Sequence, residues 1–294
     1  MKTLSKPCNP LTSKRRSGAV LAAGLALMLM LDVAAAGVAN TKHNLGASAN
    51  ANYVVGDNRF DGTTEICVFC HTPHGANVSI SAPAPLWNRN FTTTAYTTYA
   101  SLGSTTRDGE VATTGSVSIA CLSCHDGTQS MDIMINTPGS GTDPSPTGFP
   151  ASGTWSGTNQ TAGKITGAFT NLGVDLTNDH PIGIQYCGGG INIGTPDGPC
   201  VNDPDFKLAP NLQHSGAGAG TRWWVETNGN TTREITDLPL YTRTDTTTYD
   251  SLPLNGGAQP FVECASCHDP HTNNTTFLRV SNSSSVICLA CHTK

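Results

Sequence analysis

Four times in 294 residues the chain spells Cys-x-x-Cys-His, at Cys67 to His71, Cys121 to His125, Cys264 to His268 and Cys288 to His292. This spacing is the attachment signature of c-type haem. Two thiols add to the vinyl groups of one porphyrin, and the next residue brings an imidazole to its iron. The same eight cysteines would also fill two structural zinc sites, each held by four thiolates. Zinc, however, has no use for a histidine after every second cysteine. The spacing therefore predicts four covalent haem c groups, held by Cys67, Cys70, Cys121, Cys124, Cys264, Cys267, Cys288 and Cys291. Their proximal ligands are His71, His125, His268 and His292.

The rest of the composition fits a chain that needs such groups. Hydrophobic residues make up 37% and charged residues 13%, with 31 glycines and 18 prolines. The charged share is about half the usual one, whereas plain disorder calls for high charge and few cysteines. Helical periodicity is nearly absent outside the Cys-x-x-Cys-His segments. Side chains this sparse would not offset the entropy of ordering so much loop. The expected fold is mostly coil, with short helices at the motifs and a few short β-hairpins, wrapped around a stack of four haems.

Residues 1–36 read as an export leader. Lys14, Arg15 and Arg16 precede an apolar run from Ala19 to Leu31, and Ala34 and Ala36 are placed for cleavage. Residues 37–294 then form a single four-haem domain with a loop-rich insertion at about 128–260. Cleavage leaves 11 Lys+Arg against 20 Asp+Glu, a formal charge of −9. That surface repels phosphate backbones, so nucleic acid is not an expected partner. No later segment has the length to cross a membrane as a helix. The expected location is the cell surface or beyond, reached through the periplasm.

Two further cysteines, Cys187 and Cys200, flank a glycine-rich loop in a compartment that permits disulfides, and are expected to pair. For the sixth iron position the mature chain offers Met131 and Met134, but also five spare histidines, His43, His74, His180, His214 and His271. Bis-histidine ligation at all four irons is the economical reading, and it implies low reduction potentials. His74 and His271 stand in CHTPH and CHDPH, three residues after a proximal histidine. Neither can reach the far face of its own haem, so each reads as a clamp on a second haem nearby. His180, in a turn at Asn178–Pro181, is preferred over His214, which is taken as the non-ligand. His43 lies on a short terminal arm. It can fold back onto a haem of its own chain or reach a haem in the next molecule.

The insertion is read as surface loop, with one exception. Asn228-Gly229 sits between the β-favouring runs of residues 222–233 like a hairpin turn. Glu226, Asn228 and Asn230 make a poor ligand set for calcium.

At this point the sequence resembles a known group. EICVFCHTPH (65–74), APLWNR (84–89), CLSCHDGT (121–128), NDHPIG (178–183), VECASCHDPH (262–271) and FLRVSNSSSVICLACH (277–292) are similar to blocks of the OmcE-type four-haem outer-surface c-type cytochromes. Members of that group polymerise into extracellular nanowires. The resemblance implies a coil-dominated fold around stacked bis-histidine haems, with one axial histidine, expected here to be His43, donated by the neighbouring subunit. Carried over, it makes His43, His74, His180 and His271 the distal ligands, with His43 matching the terminal-arm position. It implies a homopolymer that passes electrons from other redox cytochromes to extracellular acceptors. A monomeric periplasmic or surface carrier with the same four haems is the alternative. Enzymatic chemistry would need an iron with an open position, which five spare histidines for four irons argue against.

Overall fold

In the computed structural model, the described residues are 37–48, 50–77, 84–91, 94–138, 153–191, 200–208, 210–215, 222–242 and 259–293. The chain divides into two units, Met1–Ala35 and Ala36–Lys294, and every described residue belongs to the second. The leader expected at residues 1–36 lies outside the described residues, as does the proline-rich stretch at 139–152.

The protein is mostly coil with a few short helices and small antiparallel sheets. Strand β1 (Arg59–Phe60) pairs with β2 (Trp155–Ser156), and between them in sequence lies the helix α1 (Ser116–His125). Strands β3 (Gln160–Thr161) and β4 (Lys164–Ile165) close on Ala162-Gly163. Both turn residues have positive φ (50° and 76°), as the mirror-image hairpin turn requires. A Cβ on Gly163 would lie 2.0 Å from Ser130 Oγ, so this glycine also answers a close approach.

The largest sheet has the order β5-β9-β8-β7-β6. Its strands are β5 (Ile184–Gln185), β6 (Leu212–Ser215), β7 (Arg222–Val225), β8 (Leu238–Thr242) and β9 (Pro260–Val262). Three of the five, β5, β6 and β8, fall where surface loop was expected. Leu212 opposes Val225, Val225 opposes Leu238, and Trp223 opposes Leu240, so the large apolar residues share one face. That face packs with Tyr186, Ile191, Val262 and the pair Cys187–Cys200. Each strand is too short to show an alternation in its own sequence, and only pairing assembles the face. Pro239 is tolerated in β8 because pairing with β9 begins two residues later, at Tyr241.

Two expectations for this region meet the structure differently. The hairpin expected within residues 222–233 does not close at Asn228-Gly229: β7 pairs instead with a strand beyond that stretch. Strand β7 ends at Val225 and β8 begins at Leu238, and the intervening loop is tied by its own carboxylates. Glu234 accepts Asn228 Nδ2 (2.6 Å) and Asn230 Nδ2 (2.8 Å), and Asp237 accepts the N–H groups of Thr227 and Glu234. The cysteines do pair: Cys187 and Cys200 form a disulfide with a Cα–Cα distance of 5.2 Å.

Helices α2 (Cys264–Cys267) and α3 (Val286–Cys291) complete the regular structure. A smaller apolar cluster of Phe60, Val68, Phe69 and Met134 sits under the first motif, while Ile287 and Ala290 tie the fourth motif to the sheet. Met131 and Met134 are each 2% exposed and serve as core residues. Among the described residues, no helix is long and apolar enough to cross a membrane.

Candidate haem sites

All four motifs are built as one tight helical turn. The first is a 3-10 turn (Cys67–Phe69), the second ends α1, the third is α2 and the fourth closes α3. The N–H of the histidine donates to the carbonyl of the first cysteine in three of them: His71 to Cys67 (2.8 Å), His268 to Cys264 (3.0 Å) and His292 to Cys288 (2.9 Å). Residues between the cysteines point inward: Val68, Phe69, Leu122, Ser123, Ala265, Ser266 and Ala290 are buried. The eight motif cysteines form no disulfide, and none is wholly enclosed. Each turn therefore offers two sulfurs and an imidazole on the side away from the packed polypeptide.

A second segment orients each proximal imidazole. His71 bridges to Trp87, His268 to Leu278 and His292 to Phe206, all antiparallel. Nδ1 of His71 meets the carbonyl of Pro85 (2.7 Å), that of His125 meets Thr170 (2.8 Å), and that of His268 meets Thr276 (2.8 Å). A carbonyl fixes the proton on Nδ1 and leaves Nε2 as the free lone pair, the arrangement metal-binding histidines use. At His292 the Phe206 ring, 4.6 Å away, supplies the contact.

Spare histidines come to two of these sites. The rings of His71 and His271 lie 6.0 Å apart at 15°, and those of His43 and His125 lie 6.2 Å apart at 88°. A metal-bound imidazole nitrogen sits about 2.0–2.1 Å from its ion, so two rings facing one metal have centres roughly 6 Å apart. Both pairs match that separation. His43 is lowered to about 4 by burial first and by His125 second. His125 is lowered by its own burial, and His292 by burial and then by His180, which puts His180 beside the fourth motif. His74 is exposed, and its ring has no described partner. His214 stands on the end strand β6 against Trp223 (5.1 Å), exposed. A short arm could send His43 to its own chain or to another, and the ring is found against His125 of the same chain.

Burial pushes Cys70 up to about 12, with Cys124 of the second motif the next contributor. Cys121 and Cys264, of the second and third motifs, share a hydrogen bond that raises the first and lowers the second. Burial raises Cys267 to about 11 and Cys291 to about 12, and both feel cysteines across the junction of the third and fourth motifs. Neighbouring motifs are therefore in electrostatic contact from first to second, second to third and third to fourth.

Buried polar residues hold the first two junctions. Asn88 and Arg89 are both 0% exposed. Asn88 donates to Val68 (2.7 Å) and Asn136 (2.8 Å), and its N–H donates to Cys70 (2.8 Å). Arg89 donates to the hydroxyl and carbonyl of Ser123 (3.1 and 2.8 Å), to Met131 (2.6 Å) and to Ser130 (2.9 Å). Between the second and third motifs, the Ser118 hydroxyl donates to buried Glu263 (2.5 Å) and accepts the N–H of Cys264 (3.0 Å). Sequence reasoning placed none of these residues at the site. APLWNR was visible as a block, but nothing in a sequence says that an asparagine and an arginine in it are fully enclosed.

The donor set fits haem c: paired thiols on one turn, an imidazole with Nε2 free, and a second ring at the distance one iron needs. Among the described residues, no three or more Cys, His, Asp or Glu side chains gather as a separate metal cluster. Residues 254–294 match the family model described as a doubled CXXCH motif. This match, over the third and fourth motifs alone, suggests a multihaem c-type cytochrome in electron transfer. No curated protein matches the chain.

Proposed function

We propose that the chain conducts electrons through four bis-histidine haems set in sequence order, as a non-enzymatic extracellular cytochrome of the OmcE-like kind. Haem c supplies reversible one-electron chemistry at its iron. The polypeptide spaces the attachment turns, fixes each imidazole by Nδ1 and packs one side of every motif. The observation that carries this reading is the pairing of histidine rings, His271 with His71 and His43 with His125, at the separation one iron needs, beside a Cys121–Cys264 hydrogen bond that joins the second and third motifs. The 71/271 ring pair supports the clamp reading of CHDPH, since His268 and His271, three residues apart, then serve different haems.

Assembly into a filament is part of the proposal. One axial histidine passes between neighbouring copies in this reading: His43 of the terminal arm is the expected donor, and His74 is the other candidate. The His74 ring is exposed and has no described partner, and both His268 and His292 are proximal histidines with no histidine ring stacked on them among the described contacts. The proposed assembly joins His43 or His74 of one copy to a haem of the next. Export to the cell surface, and other redox cytochromes and external acceptors as partners, belong to the same proposal.

Negative-stain microscopy of the secreted, haem-loaded protein tests it. Filaments that vanish in His43→Ala or in His74→Ala are the expected result, and the variant that abolishes them names the donor. Monodisperse wild-type protein carrying four low-spin haems would instead establish the monomeric carrier. A five-coordinate, high-spin fraction in the wild type would overturn the non-enzymatic part.

A further inference from the structure

The histidines differ in what holds Nδ1. For His71, His125 and His268 the acceptor is a neutral carbonyl, and for His180 it is the carbonyl of Pro181 (2.9 Å). At His271 it is a carboxylate. Nδ1 lies 3.3 Å from Asp269 Oδ1, and the His271 N–H donates to the same oxygen (2.9 Å). At His43 the enclosed Nδ1 makes no close hydrogen bond, and the ring's one acceptor is the backbone carbonyl of Pro270.

Asp269 is not a casual surface acid. It is 8% exposed, and its N–H donates to the Phe277 carbonyl (2.8 Å). Its second oxygen faces Arg279 Nη1 (3.5 Å). Arg279 is itself held by the carbonyls of Ala265 and Ile235, each at 3.0 Å. The line His271–Asp269–Arg279 therefore runs from the first motif's second ligand into the backbone of the third motif.

We infer that Asp269 is a positioning residue that makes the His71/His271 site more electron-rich, and of lower potential, than the His43/His125 site. The inference rests on the bis-histidine reading above. A carboxylate that accepts Nδ1–H gives the imidazole partial imidazolate character and makes it a stronger donor to the oxidised iron. The His43 ring, whose one acceptor is the neutral backbone carbonyl of Pro270, lacks that push. Reduction adds one electron at the iron, and the proton remains on Nδ1, shared with Asp269, so no bond to the protein is made or broken. The order of filling within one chain is then set by what each outer nitrogen touches. The His43/His125 site takes its electron before the His71/His271 site.

The test is a spectroelectrochemical titration, with low-temperature EPR of the oxidised protein, on the full haem-loaded chain and Asp269→Asn. One couple, on the low side, should shift about tenfold toward reduction, or ~59 mV for one electron. One low-spin EPR signal should change its g values, and the other couples should stay in place. A purely structural role would lower stability without singling out one EPR signal. Arg279→Gln keeps Asp269 and removes its competing cation, so the same couple should move in the opposite direction. This second variant decides the matter if Asp269→Asn fails to take up haem. Unchanged potentials and EPR in a loaded variant would overturn the inference and leave the four-haem reading standing. A wild type without four low-spin haems would remove both.

Discussion

At the scale of single residues, Arg89 carries the clearest consequence. Its guanidinium is fully enclosed and serves one hydroxyl and three carbonyls, with no carboxylate among its described partners. In Arg89→Leu those acceptors lose their donors in a place water cannot reach, which costs about 3 kcal/mol or more. A melting point lower by roughly 10 °C should result. Arg89→Lys should recover little of it, since a point ammonium cannot reproduce the planar fork. Thermal denaturation of haem-loaded protein checks both. A lysine variant as stable as wild type would mean that charge, rather than geometry, matters there. The donor types of the site were readable as a set, because thiol and imidazole chemistry ties residue to role. What Asn88, Arg89 and Asp269 do was not readable, since a polar residue looks alike in sequence whether enclosed or bathed in water.

At the scale of elements, the short helices follow from local chemistry and their joints do not. Helix α2 starts on a reciprocal cap, in which the Ser266 hydroxyl accepts the Glu263 N–H (3.0 Å) and the Glu263 side chain accepts the N–H of Ser266. The same carboxylate takes the Ser118 hydroxyl of α1, 145 residues away. Ser118→Ala should therefore loosen the joint between the second and third motifs at about 2 kcal/mol, measured by chemical denaturation. Exposed Ser101→Ala serves as a control that changes nothing. The sheet behaves likewise. Trp223 is 1% exposed and packs on the face shared with Leu212, Val225, Leu238 and Leu240. Trp223→Ala should cost about 3–5 kcal/mol with the haem spectrum of the folded protein unchanged. Five strands of two to five residues, drawn from positions 184–262, leave no periodic trace in any sequence window, so the segment reads as loop until its strands pair.

At the scale of the whole molecule, covalent haem and a polypeptide core share the work of holding the chain. The disulfide staples the loop beside the sheet. Cys187→Ser combined with Cys200→Ser should lower stability by about 3 kcal/mol, while haem stoichiometry by pyridine haemochrome stays at the wild-type value. A loss of haem in that variant would show that the sheet region governs attachment as well as stability. Sequence alone determined the attachment chemistry and the predominance of coil, because each depends on residue type and spacing within a few positions. Only the tertiary structure decided that His271 faces His71, that His43 faces His125, and that the middle of the chain builds a sheet. Those outcomes are contacts between segments far apart in sequence, selected by packing and burial that no local pattern encodes.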